Sequence, residues 1–243
     1  MASAFAWGLL AASSLVIGGA IALTVPISTR VIGLVMGFGA GVLISAVAFD
    51  LVEEAANTAT GSGATLFGLF AGCAVFFAGD WLIDRHGGAD RKDASGAQAE
   101  GSALAIVLGT VLDGIPESAV IGLTIYQGGA VGAAYLTAVF ISNLPEAVSS
   151  SAGLVASGWN KARIIWLWVA IALVSGLASL AGYAFFQSSS PDTVAFVLSF
   201  AAGAILTMLA DTMMPEAYEN GGRLVGVVTT LGFATAFLIH TLD

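Results

Sequence analysis

The chain has 243 residues, 58% of them hydrophobic and only 9% charged, with a formal net charge of −9. A soluble domain carries roughly 25% charged residues, so composition excludes an ordinary water-soluble fold and predicts one integral membrane domain over 1–243 with no soluble module. Its seven Lys and Arg are scattered, which argues against a nucleic-acid partner, and the lone Cys73 rules out an intramolecular disulfide.

Apolar stretches of about 20 residues, the length a bilayer crossing needs, recur from end to end. They predict an all-α membrane protein of eight spans, at 3–25, 31–56, 64–83, 102–125, 130–156, 163–186, 193–217 and 222–241. The N-terminus is apolar from Phe5 with no basic residue before it, which predicts a retained first span rather than a cleaved leader. Connections are short except 84–101, a polar, Gly/Ala-rich segment that reads as a flexible loop.

Basic residues set the orientation. Arg30 follows span 1; Arg85, Arg91 and Lys92 follow span 3; Lys161 and Arg163 lie after span 5; Arg223 follows span 7. All seven fall on one side of an eight-span chain. That side is expected to be cytoplasmic, which places both termini outside an inner or plasma membrane.

Span 2 from Phe38 aligns without gaps on span 7 from Phe200. Phe38/Phe200, Ala40/Ala202, Gly41/Gly203, Ala48/Ala210, Glu54/Glu216 and Ala55/Ala217 are identical. The two spans run in opposite directions, so the match predicts an inverted repeat of spans 1–3 and 6–8 around spans 4 and 5, a 3+2+3 arrangement of the kind transporters use. Gly33, Gly37 and Gly41 stand four apart on span 2 and permit close helix approach.

The chemistry concentrates in two stretches twenty-nine residues apart, Asp113-Gly114-Ile115-Pro116-Glu117 and Ser142-Asn143-Leu144-Pro145-Glu146. Each interrupts a span about a dozen residues in, near the middle of a hydrocarbon core of about 30 Å. An ionisable group at that depth is costly and marks a functional site by default. A proline there removes a backbone donor and frees a carbonyl one turn back. Asp113 and Glu117 share one helix face, as do Ser142 and Glu146, with Asn143 beside them. Facing each other, the spans offer Asp113, Glu117 and Glu146 as carboxylate ligands, with Asn143 and Ser142 in support. An oxygen-rich, negatively charged cage suits a divalent cation. The plainer alternative treats the prolines as kinks and the acids as protonated or bonded to hydroxyls; the duplication at matching depth favours the cation.

Further acids mark a transport path: Asp50 and Glu54 toward the outer end of span 2, Asp211 and Glu216 toward the inner end of span 7. Glu53 and Glu219 read as solvated, and Asp80 and Asp84 as interfacial around Trp81. His86 and His240 read as isolated outside the core. Met208, Met213 and Met214 read as packing residues.

At these residues the sequence resembles the ZIP (Zrt/Irt-like) family of divalent metal transporters. Family members have eight spans, external termini, a variable cytoplasmic loop after span 3 and a metal site between spans 4 and 5. Their span-4 signature is His-Asn-x-Pro-Glu-Gly, with a His/Gln-x-x-Pro-Glu pattern in span 5. Met214-Pro215-Glu216 in span 7 is also similar to its family counterpart. Here Asp113, Gly114 and Ser142 stand at the His, Asn and His/Gln positions, and Ser118 and Ala147 replace the final glycines. The resemblance implies one metal site of Asp113, Glu117 and Glu146, with Asn143 as a further ligand. The second metal found in some members lacks its span-6 acid, since span 6 holds no ionisable residue after Arg163 in its apolar stretch.

The expected function is movement of zinc, manganese or iron toward the cytoplasm, with the metal as cargo and no cofactor. Loss of both motif histidines tilts the expectation toward manganese. The expected partners are the cation and the lipid bilayer, and a homodimer is admitted. The rival reading is a degenerate family member that is proton-linked, channel-like, or a sensor or interaction protein. An enzyme is not expected, because no nucleophile–base–histidine set lies within the spans. A retinal protein is excluded because Lys92 and Lys161 both sit in loops.

Overall fold

The structure, a computed structural model, describes residues 1–88, 103–126, 133–186 and 189–242. Among these the chain is helical wherever it is regular. The rods, in chain order, are α1 (Ala2–Thr24), α2 (Thr29–Thr58), α3 (Ser62–Ile83), α4 (Ala103–Tyr126), α5 (Ala133–Ala156), α6 (Lys161–Phe185), α7 (Pro191–Gly221) and α8 (Leu224–His240). Six of them, α1 to α4, α6 and α7, contain stretches long and apolar enough to cross a membrane. This is the build of an all-α multi-pass membrane protein. The two expected spans outside that group have visible reasons. The α8 rod has 17 residues, and the apolar run of α5 is broken by Ser142, Asn143, Glu146 and the serines at 149–151.

Local chemistry fixes the rod ends. Asn160 caps α6 by accepting from the Arg163 amide at 2.8 Å, and Ser190 caps α7 ahead of Pro191, where the missing amide proton is not needed. Thr60 donates from its amide and its hydroxyl to the Asp192 carboxylate, each at 2.8 Å, and so ties the α2–α3 turn to the start of α7. Lys161 reaches the last turn of α1 and donates to the Leu23 carbonyl at 2.8 Å, a cation placed where the helix end is negative.

Pro116 and Pro145 lie within uninterrupted α4 and α5. The irregular turns fall elsewhere: α2 is π-helical over Val47–Glu53 and α7 over Leu209–Met213. Each begins nine residues after the matched Phe38 or Phe200. A π turn inserts an extra residue and redirects the side chains that follow, often at functional positions.

Packing couples α3 to α7, α2 to α8, α1 to both α5 and α6, and α4 to α6. Glycines let the backbones meet. On one side Gly41 abuts the Thr229 carbonyl and Gly232 the Phe38 carbonyl; on the other Gly203 abuts the Leu69 carbonyl and Gly72 the Phe200 carbonyl. Small residues replace the hydrophobic effect as the means of association in lipid, because dispersion contacts need close approach. Where α1, α5 and α6 meet, the fully buried Trp168 indole donates to Ser151 Oγ at 2.8 Å, and Gly19 leaves room for its ring.

The loop expected over 84–101 begins later, because Asp84–Gly88 continues α3 as a π turn. The rest of that expectation, with Arg91 and Lys92, lies outside the described residues. Two arginines on the predicted cytoplasmic side lie over tryptophan rings, Arg85 on Trp81 at 3.7 Å and Arg163 on Trp159 at 3.6 Å. Such stacks suit a headgroup region, where ring and charge are both satisfied.

Candidate functional site

The two Pro-Glu stretches are buried together. Asp113, Glu117 and Ser118 on α4 are 4%, 2% and 3% exposed; Ser142, Asn143 and Glu146 on α5 are 3%, 7% and 7%. Their helices are linked by Tyr135 of α5, whose hydroxyl donates to the Glu117 backbone carbonyl of α4 at 3.3 Å. Ser142 donates back to the Val139 carbonyl at 3.1 Å, so its lone pairs face other partners. Pro116 and Pro145 leave the carbonyls of Leu112 and Ile141 without their usual helical donors.

Two other rods close on this region. A β-carbon on Gly39 of α2 would stand 3.2 Å from Ser142 Cα and 3.1 Å from Met213 Cε of α7. Gly114 of α4 faces Ser175 of α6, whose Oγ lies 3.8 Å from where a β-carbon would be. Gly114 therefore leaves space beside Asp113. Met213, expected to pack, is buried, with its methyl end beside Gly39.

Among the described residues, no group of three or more His, Cys, Asp or Glu side chains is gathered closely enough to hold a metal ion. The expected cage of Asp113, Glu117 and Glu146 is thus not assembled as a three-carboxylate cluster. Like charges in a low-dielectric interior repel, so three carboxylates closing on one point need a cation or protons to balance them.

The path residues fall into two groups. Asp50 is half-buried in the π turn of α2, and its Oδ1 lies 2.8 Å from His240 Nδ1 at the end of α8. His240 also stacks on Phe49, ring centroids 5.5 Å apart. It is therefore not isolated, as lone-residue reasoning expected; helix periodicity could not reveal a partner 190 positions away in sequence. Glu54 is exposed, with Oε1 accepting from the Thr58 hydroxyl at 3.3 Å, and so sits at the rim.

At the other end, Asp211 lines a cavity of about 360 Å³ with Phe77, Asp80, Trp81, Asp84 and Ala210. Asp80, expected near the cytoplasmic surface, is 6% exposed. Glu216 is half-buried, with its backbone carbonyl accepting from Asn220 Nδ2 at 2.9 Å. Glu53 and Glu219 are exposed, as solvated residues would be.

No family model matches this sequence, and no curated protein matches it either.

Proposed function

We propose that the chain is a divalent-cation transporter of ZIP-like build, with its central site between α4 and α5. The observation that carries the reading is the burial of Asp113, Glu117 and Glu146 on two helices linked by the Tyr135–Glu117 bond. Deep carboxylates serve ion pathways more readily than packing. The incoming cation draws the three side chains together, with Asn143 and Ser142 adding neutral oxygens, and zinc, manganese or iron is the cargo.

In this reading the chain crosses the membrane eight times, with both termini outside the cytoplasm and Arg85 and Arg163 on the inner face. The inverted repeat is supported by paired details: the matched glycines Gly41 and Gly203, their partners on α8 and α3, and π turns at corresponding places. Rocking of α4 and α5 with their neighbours against the other rods would expose the site alternately. The Asp50 end and the Asp211 cavity then serve as the two mouths.

Uptake of radiolabelled manganese and zinc into proteoliposomes, each competed by the other, tests the function and the ion. Saturable uptake of either supports transport. If zinc is taken up and manganese neither enters nor competes, the manganese preference fails. The rival reading, a proton-linked or sensor protein on the same scaffold, draws on the absence of a gathered three-ligand cluster. It predicts no saturable metal uptake, or a flux driven by an imposed pH difference alone.

A further inference from the structure

We propose that His240, oriented by Asp50, is a capture ligand for a nitrogen-preferring transition-metal cation at the outer mouth of the path. This goes beyond the buried site between α4 and α5. It takes its purpose, though not its geometry, from the transport reading.

The geometry is that of a metal-ligating histidine before its metal arrives. Such a ring nearly always gives its second nitrogen to a carboxylate, a backbone carbonyl or water, which fixes the tautomer and raises the basicity of the coordinating nitrogen. Here Asp50 Oδ1 stands 2.8 Å from Nδ1. With the proton held on Nδ1 toward the carboxylate, the lone pair resides on Nε2. Nε2 makes no hydrogen bond to any described residue. The ring also packs on Phe49, centroids 5.5 Å apart with 30° between the planes. The side chain is 35% exposed while Asp50 is 14% exposed, which puts the imidazole on the solvent side of the carboxylate.

Position adds to geometry. His240 occupies the last turn of α8, where unsatisfied carbonyls make the helix end favourable to a cation. Behind it stands Asp50, in the π turn of α2. His240 is the more exposed member of the pair, on the side the transport reading assigns to the outer mouth. One imidazole with a carboxylate behind it, and water completing the coordination, binds weakly. A station from which the ion must move on requires weak binding. Imidazole favours zinc, iron, copper and nickel over magnesium and calcium, so the station selects before the oxygen-lined interior does.

The chain contains two histidines, His86 and His240, which makes a direct test practical. His86 bonds through Nδ1 to the neutral Leu82 carbonyl at 2.7 Å and serves as the internal control. Purified full-length protein in detergent is treated with diethyl pyrocarbonate, with and without zinc chloride, and modification at each histidine is followed by peptide mass spectrometry. Zinc is expected to slow modification of His240 at concentrations that leave His86 unaffected. In Asp50→Asn the zinc concentration needed rises about tenfold, the usual effect of losing an orienting carboxylate. Equal protection of both histidines, no protection of His240, or protection unchanged in Asp50→Asn would each overturn the proposal. In proteoliposomes, His240→Gln is expected to raise the KM for zinc uptake and leave the maximal rate unchanged. An unchanged KM also counts against it. Zinc protection of His240 in a protein that transports nothing would keep the capture site and remove the transport reading, so the two fail separately.

Discussion

The Tyr135 hydroxyl of α5 donates to the Glu117 carbonyl of α4 at 3.3 Å and so joins the two Pro-Glu helices directly. Tyr135 is 2% exposed, so the bond lies in a dry interior, where such contacts are strong and their loss is felt.

Tyr135→Phe keeps the ring and removes the hydroxyl. It is expected to cost about 1 kcal/mol of stability and to leave the protein folded in detergent. Because the bond sets the spacing of the two helices, metal uptake is expected to fall by more than a general loss of stability explains. Comparing uptake per folded protein with the detergent unfolding temperature checks this. A fall in temperature with unchanged specific uptake would make Tyr135 a packing residue only.

Gly41→Ala is expected to be among the most damaging single-methyl additions. The new β-carbon would collide with the Thr229 carbonyl and lie 2.8 Å from the Phe233 amide, both rigid backbone. Overpacking of this kind costs about 1–3 kcal/mol. By the proposed repeat, Gly203→Ala against Leu69 and Cys73 is expected to cost a similar amount. Gly226→Ala on α8, which would meet nothing within 4 Å, is the matched control and is expected to be neutral. Unfolding temperatures of the three variants decide it.

Trp168→Phe and Ser151→Ala each break the 2.8 Å indole–hydroxyl bond and leave a buried partner unsatisfied. Each is expected to cost about 1–3 kcal/mol. The double variant is expected to lose less than the two singles together, because the second change removes the group that the first left unpaired. Strict additivity would show that the bond contributes nothing.

Gly39→Ala probes the wall of the site. The added methyl can push aside the flexible end of Met213 but must shift the Ser142 backbone by a few tenths of an ångström. Uptake is expected to fall several-fold with a stability loss near the low end of the 1–3 kcal/mol range for overpacking. Met213→Leu, close in volume, is expected to restore little of the lost uptake, because the backbone contact remains.

Much of the helical frame was legible in the sequence. Apolar runs long enough to cross a bilayer leave little choice but helix, since unpaired backbone groups cannot be left in lipid. Burial of Asp113, Glu117, Ser142, Asn143 and Glu146 followed from their depth in those runs. The π turns were not legible: nothing in the composition of Val47–Glu53 or Leu209–Met213 requires an extra residue per turn, and prolines elsewhere drew attention away. Pro116 and Pro145 each remove one backbone donor, yet α4 and α5 run on through them. The His240–Asp50 pair was invisible because it depends on how α8 lies against α2, a long-range relationship that local patterning does not carry. The one sequence signal that pointed there was the run of small residues on α2 that lets α8 approach so closely.

The central claim is that the buried carboxylates of α4 and α5 hold the transported cation. It is tested most directly by uptake of radiolabelled manganese and zinc into proteoliposomes containing wild type, Glu117→Gln or Glu146→Gln. Each substitution preserves shape and removes one charge. The account predicts saturable uptake by wild type and loss of at least about tenfold in each variant, since removing one charged ligand of a buried cation costs well over 1.4 kcal/mol. Uptake equal in all three proteins would contradict it.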